Sequence, residues 1–277
     1  MLKLLLCATL VLGLCISTVG CGNSEQANDE SNEFKVGLEC GYAPFNWTQS
    51  DDSNGAVPIS GSEEFAGGYD IEIAKIIADG LGKDLVVVKT AWAGLPPAVQ
   101  SGTIDAIIAG MSPTAERKMT IDFSDNYYRS DLVMVVKKGS EYENATDIQD
   151  FAGTNITAQL STFHYSVIDQ INDVVKKTAM EDFPAIRVAL ESGIIDGYVS
   201  ERPEGISATA ANPKFAMVVF DEGKGFEASD DDVAIAVGLK QGSTETVEKI
   251  NEVLAGVSQE KRTALMDSAI KNQPASN

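Results

Sequence analysis

A single histidine, His164, is the only imidazole in the 277-residue chain, so a Ser-His-Asp arrangement has one possible base. Gly-x-Ser-x-Gly is absent, as is a phosphate loop ending in Gly-Lys-Ser or Gly-Lys-Thr. No His/Cys cluster has zinc spacing. His164 falls near a helix start, where a surface or packing role is the expectation. The residue types suit binding instead, and four segments carry them. Glu39-Cys40-Gly41-Tyr42-Ala43-Pro44-Phe45-Asn46-Trp47 places a carboxylate, polar-tipped aromatics and an amide in a loop directly after a strand. Open α/β sheets hold ligands beyond the carboxyl ends of their strands. The same residues would also make an aromatic mini-core under a loop. Thr90-Ala91-Trp92-Ala93-Gly94-Leu95 follows another strand, and its indole can cover an apolar stem or stack over a cation.

In Ala109-Gly110-Met111-Ser112-Pro113-Thr114-Ala115-Glu116-Arg117 a strand ends, backbone donors come free and an arginine arrives within a turn or two. The guanidinium fork fits a carboxylate with two parallel hydrogen bonds, and free N–H groups can take the other oxygen. A surface arginine capping a neighbouring acid is the alternative reading. The fourth segment has two parts. Gln159-Leu160-Ser161-Thr162 opens a helix, whose N-terminus attracts anions, and Ser161 or Thr162 suits the cap. Asp196-Gly197-Tyr198-Val199-Ser200-Glu201-Arg202-Pro203 ends a strand with Glu201 as a counter-charge for an ammonium group.

These loops need a scaffold, and the hydrophobic pattern supplies an alternating one. Strands are expected at Phe34–Leu38, Leu85–Lys89 and Ala106–Ala109, with helices over Tyr69–Leu81 and Leu95–Ser101, the second stopped by Gly102. Gln49 to Gly67, rich in Asp, Ser, Gly and Glu, reads as a surface hairpin or loop. A second series runs through strands at Leu132–Val136, Asn155–Ala158, Ile194–Val199 and Val233–Leu239. Its helices are expected at Thr162–Val175, Ala185–Glu191, Thr246–Val257 and Gln259–Ile270. The order strand–helix–strand implies parallel sheets flanked by helices, in two α/β units. The leftover terminal helices fit a first unit interrupted by the second, with two strands crossing between them.

The chain carries 41 acidic against 21 basic residues, a net charge of −20. That argues against nucleic acid as a partner, and equally against attachment to anionic headgroups through the folded surface. Met1-Leu2-Lys3, the apolar run Leu4–Leu14 and the small residues Ser17-Thr18-Val19-Gly20-Cys21 have the three-part grammar of a secretory signal. The run is shorter than the roughly twenty apolar residues a spanning helix needs. The stretch resembles a bacterial lipoprotein signal, which implies lipidation at Cys21, although Thr18 stands where such signals usually carry Leu. Residues 1–20 are thus expected to be a signal peptide and 21–33 a flexible, acidic tether. Only Cys40 remains after processing, and it reads as a small, part-buried side chain at a strand end.

Taken in order, these segments resemble the solute-binding proteins of polar amino-acid ABC transporters, the family 3 type. The likeness runs from Phe34 to Lys271. It is carried most specifically by Gly68-Tyr69-Asp70-Ile71-Glu72-Ile73-Ala74, and by Gly110-Met111-Ser112 through Glu116-Arg117 to Asp122-Phe123-Ser124. The resemblance implies an α/β, two-lobed periplasmic-binding-protein-like fold (type II), each lobe an open, mostly parallel sheet flanked by helices. Residues 34–129 and 227–277 would form the first lobe and 130–226 the inserted second. It implies further that Arg117 grips an α-carboxylate with the Ser112 and Thr162 backbones, that the Gly110 carbonyl accepts from an α-ammonium, and that Tyr42 and Trp92 sandwich the side chain.

Glu201 matches a position where the family usually has Asp, and Ser161 one where it usually has Gly. Met111 and Ser161 complete the expected contact set. Glu39 sits where receptors for basic amino acids often carry an acid, which favours arginine or lysine. Glutamine, histidine and cystine stay open because Asn46 and Ser112 suit a neutral polar group. The implied partners are a free L-amino acid and the transporter's permease subunits, with contact to the membrane only through the lipid anchor. The molecule is expected to be a monomer without catalytic residues, cofactor or metal. A dehydratase-like enzyme on the same scaffold would need a placed general acid, which only His164 or a carboxylate could supply.

Overall fold

The computed structural model describes residues 32–274. The expected signal peptide, Cys21 and nearly all of the expected tether lie outside the described residues. Strand β1 (Glu33–Leu38) begins one residue before the expected start, because Glu33 already pairs in register with Asp84. A small hairpin sheet follows, made of β2 (Gly41–Tyr42), β3 (Asn46–Gln49), β4 (Val57–Pro58) and β5 (Phe65–Gly67). Next come α1 (Tyr69–Leu81), β6 (Asp84–Lys89), α2 (Leu95–Ser101), β7 (Ala106–Ile107), α3 (Ala115–Lys118) and β8 (Ile121–Arg129). The chain then builds β9 (Leu132–Lys137), β10 (Asn155–Thr157), α4 (Phe163–Val167), β11 (Val175–Lys176), α5 (Phe183–Ser192), β12 (Gly197–Glu201), α6 (Arg202–Ala211) and β13 (Phe215–Val218). It returns through β14 (Ala234–Lys240) and ends in α7 (Thr244–Ala255) and α8 (Gln259–Asn272).

Two five-stranded sheets result, ordered β6-β1-β7-β14-β8 and β11-β10-β12-β9-β13. In each, the first three strands run parallel and the last two pairings are antiparallel. The parallel parts are the βαβ units read from the sequence. The antiparallel parts arise where the chain passes between the sheets, once from β8 to β9 and once from β13 back to β14. These passages lie side by side: Arg129 pairs with Ala234, and Ser130 N donates to the Val233 carbonyl. Central strands covered on both faces read as continuous apolar runs, as in β14, where all residues but the last are buried.

Helix α1 shows how local sequence sets an element. Ile71, Ala74, Ile77 and Ala78 fall on one face and are buried there, while Asp70 and Glu72 occupy the first turn, where the helix dipole favours them. Gly68 precedes it with φ 124°, and a Cβ there would lie 2.3 Å from the Phe45 carbonyl oxygen, so only glycine fits. In α2, Pro96 and Pro97 occupy the first turn, where a missing N–H costs nothing.

One expectation needs correction, and two elements carry no clear sequence signal. Thr162–Val175 is not one helix: α4 stops at Val167, Ile168–Gln170 form a single tight turn, and Val175 joins a strand beside Asn155. Asn172 and Asp173 form the break, with Asp173 in the left-handed region at φ 54°. Strand β8 is not marked in the sequence, because its pairing with β14 slips at Ala236 and again before Gly238. These irregularities bury Ile121, Ser124 and Tyr127, every third residue, and erase the alternation that marks a strand. Helix α6 was hidden by Arg202-Pro203, which reads as a strand end but opens the helix.

Candidate ligand-binding cleft

The carboxyl ends of β1, β6 and β7 in the first sheet and of β10 and β12 in the second converge on one small cavity. It is lined by Tyr42, Trp92, Gly110, Ser112, Arg117, Thr162 and Glu201, all expected from sequence. Gln159, Phe163 and His164 complete the lining. Two anchor positions come from the first-sheet side. Thr114 caps α3 by accepting from Arg117 N at 3.3 Å, which starts the helix where the arginine can turn back over the strand ends. Arg117 Nη1 donates to the Ser112 carbonyl at 2.9 Å, and Nη2 donates across the cleft to the Ser161 carbonyl at 2.9 Å. Its guanidinium carbon lies 5.1 Å from the centre of the Trp92 ring, a cation–π arrangement. Burial pulls its pKa down to about 10, with Glu116 and then Glu201 opposing the fall.

Trp92 Nε1 also donates to the Ser161 carbonyl, at 3.3 Å, so this one oxygen receives two donors from the opposite side. Ser161 supplies its carbonyl by taking φ 59°, the left-handed region that glycine occupies at least cost. Thr162 Oγ1 donates back to the Gln159 carbonyl at 2.7 Å and closes the turn. Met111 is buried, and its carbonyl accepts from Ala236 N at 3.1 Å, so its backbone ties the loop to β14. Met111 and Ser161 line the wider opening beside the cavity rather than the cavity itself.

Gly110 has φ 62°, and a Cβ there would stand 2.7 Å from Tyr42 Cε1. Its N–H donates to the Tyr127 hydroxyl at 3.1 Å, which in turn donates to Asp70 Oδ1 at 2.7 Å. Asn46 Nδ2 donates to the other oxygen of Asp70 at 2.8 Å. Asp70 is fully buried, and desolvation raises its pKa to about 6 in spite of these two donors. The acid of the α1 signature therefore braces both Gly110 and the loop carrying Tyr42. That role was not read from the sequence, because Asp70 and Tyr127 are far apart in the chain.

Glu39 lies behind the cavity wall. Gln159 Nε2 donates to its Oε2 at 3.0 Å, and burial raises its pKa to about 7 against that hydrogen bond. Tyr42 stacks on Phe183 of α5, with ring centres 4.7 Å apart and planes 9° apart, and joins the apolar cores of the two sheets. Cys40 is buried, with its thiol pushed up to about 12 by desolvation, as an inert packing residue should be. His164 is not a surface residue: it is buried, and its Nε2 lies 3.4 Å from Glu201 Oε1. Among the described residues, Glu39 Oε1, the Tyr42 hydroxyl, both His164 nitrogens and Glu201 Oε2 have no hydrogen-bond partner. Buried polar atoms left unpaired cost stability, so their concentration here marks a place kept for other contacts.

Comparison with known proteins identifies the family. Residues 34–269 match the model of the bacterial extracellular solute-binding proteins, family 3. A probable histidine-binding protein of Campylobacter jejuni is 28% identical, with 98% of each chain covered. The glutamine-binding protein GlnH of a Bacillus subtilis ABC transporter is 30% identical over 79% of this chain and 77% of its own. An amino acid ABC transporter substrate-binding protein from Streptococcus pneumoniae, solved with L-arginine, superposes with a TM-score of 0.75 at 26% identity. That match covers 87% of this chain and 94% of the other.

Proposed function

This chain belongs to the bacterial extracellular solute-binding proteins, family 3, and from that membership we propose that it is the substrate-binding component of an amino-acid ABC transporter. Its two lobes, residues 34–129 with 227–277 and residues 130–226, close around a polar L-α-amino acid. One observation carries the reading: Arg117 and Glu201, of opposite charge and from opposite sheets, line the same small cavity as Tyr42 and Trp92. In this reading Arg117 exchanges its carbonyl partners for the ligand's α-carboxylate, with the Ser112 and Thr162 backbones assisting. The Gly110 carbonyl and Glu201 take the α-ammonium, and Tyr42 and Trp92 flank the side chain. Met111 and Ser161 frame the entrance. The protein binds its ligand without transforming it and delivers it to permease subunits as a monomer.

A basic side chain, arginine or lysine, is the first choice. Glu39 Oε1 and the Tyr42 hydroxyl are unpartnered, and Glu201, Glu204, Asp70 and Glu39 all bear electrostatically on Tyr42. Such a surplus of acids suits a cation. A neutral polar ligand such as glutamine, histidine or cystine is the second reading, favoured by Gln159, whose amide lines the cavity and holds Glu39. Cys21 would carry the lipid that holds the protein at the outer face of the membrane. Among the described residues no helix is long and apolar enough to cross a membrane. A thermal-shift screen of the purified protein against the twenty L-amino acids and cystine tests the function. Stabilisation by basic amino acids alone supports the first choice, stabilisation by neutral ones alone the second, and no stabilisation by any refutes the function.

A further inference from the structure

We infer that His164 shares the Glu201 carboxylate with the ligand's α-ammonium, so that amino-acid capture is coupled to the charge of this one imidazole. The inference rests on the amino-acid reading above. Its basis is the buried contact itself: Nε2 of His164 is 3.4 Å from Glu201 Oε1, both side chains line the cavity, and Glu201 Oε2 is unpartnered. His164 stacks obliquely on Phe163, ring centres 4.3 Å apart, which holds the imidazole towards β12 rather than solvent.

The charges around it leave Glu201 as its natural partner. Helix α4 carries no other ionisable side chain except Tyr165, whose hydroxyl donates to the Lys177 carbonyl. The turn after it carries Asp169, paired with Lys176. Across the cavity stand Arg117, held by two carbonyls, and the Tyr42 hydroxyl. Glu39 is engaged by Gln159, and Glu204 by Arg187 at 2.8 Å.

A neutral imidazole can turn an N–H to Oε1 and leave Oε2 free to accept from the ammonium. A protonated imidazole places a second cation on the same carboxylate, next to the positive Arg117, and competes with the ammonium for it. Imidazole is the side chain whose charge ordinarily changes near neutral pH. Ligand capture by the protonated form therefore releases a proton to solvent. At full exclusion, the dissociation constant rises by about tenfold for each pH unit below the imidazole's midpoint.

Because the chain has one histidine, the imidazole signal of a tag-free sample is unambiguous by NMR. The experiment follows that signal against pH with and without L-arginine, and again with L-glutamine as a probe whose side chain is neutral. Binding constants are measured in parallel at pH 7.5 and 5.5. The expected result is a lower imidazole midpoint in the presence of whichever probe binds, and at least about fivefold weaker binding at the lower pH. His164→Gln should flatten that pH dependence whatever its absolute affinity. A midpoint that stays or rises overturns the inference, and so does a pH dependence that survives His164→Gln and vanishes in Glu39→Gln. Absence of amino-acid binding at any pH would remove the amino-acid reading and this inference with it, whereas pH-independent binding removes this inference alone.

Discussion

Glu39 gives the protein a pH-dependent weakness that can be measured without any ligand. Its carboxyl is held at about 7 against the usual 4.5, chiefly because burial disfavours the charged form. A group whose folded pKa is raised contributes stability that is full below its unfolded value and lost as pH rises through its folded value. Glu39 therefore costs nothing at pH 4 and progressively more between 4.5 and 7. At about 1.4 kcal/mol per pH unit, the gap between 4.5 and about 7 corresponds to at most about 3 kcal/mol. Glu39→Gln keeps an oxygen that can accept from Gln159 and removes the charge. Urea unfolding of both proteins at pH 4, 6 and 8 should show a difference near zero at the lowest pH, growing to as much as about 3 kcal/mol in favour of the variant at the highest, with unchanged m-values. Saturating L-arginine should narrow the gap at pH 8, because a guanidinium beside Glu39 favours its charged form. A difference that is constant with pH, or largest at pH 4, would refute the reasoning.

Other perturbations test the supports of the cleft. Tyr127→Phe removes the hydroxyl that donates to buried Asp70 and accepts from Gly110, at a cost of about 1.5–3 kcal/mol. Chemical denaturation should show a larger loss at pH 8 than at pH 5, since the hydroxyl supports the charged form of Asp70, whose pKa is about 6. Ser161→Gly relieves a left-handed backbone at φ 59° and should stabilise the protein by about 0.5–1 kcal/mol in thermal unfolding, net of glycine's greater freedom in the unfolded chain. Cys21→Ser should abolish incorporation of a labelled fatty acid in bacterial cells and move the protein from the membrane fraction to the medium or periplasm; retained labelling would refute the anchor.

What the sequence makes legible follows from which signals are local. Helix α1 is readable because its apolar spacing is regular and Gly68 and Gly82 bracket it, and α2 because Gly102 stops it. The site residues on strand-end loops are readable because sheet topology sends the carboxyl ends of the strands to one place, so Arg117, Trp92, Tyr42 and Glu201 converge. Contacts between the two sheets leave no local trace. Phe183 lies just ahead of the helix expected at Ala185–Glu191, opens the observed one and becomes the stacking partner of Tyr42. His164 reads as a helix-start residue because its partner Glu201 belongs to a different strand. Gln159 reads as part of a helix opening, yet its amide reaches Glu39 from the other side of the cleft. Strand β8 is obscured for a different reason, since its irregular pairing replaces a period of two with one of three.

The most direct test is calorimetric titration of the wild-type protein and Arg117→Ala with the amino acid that gives the largest thermal shift. Arg117 is the group expected to meet the α-carboxylate whatever the side chain, and its loss would leave that charge unpaired in a closed cleft. Wild type should bind one amino acid per chain. Arg117→Ala should retain its fold by circular dichroism and lose roughly 3–5 kcal/mol of binding free energy, enough to abolish the thermal shift. Binding of normal affinity by the folded variant would contradict the account.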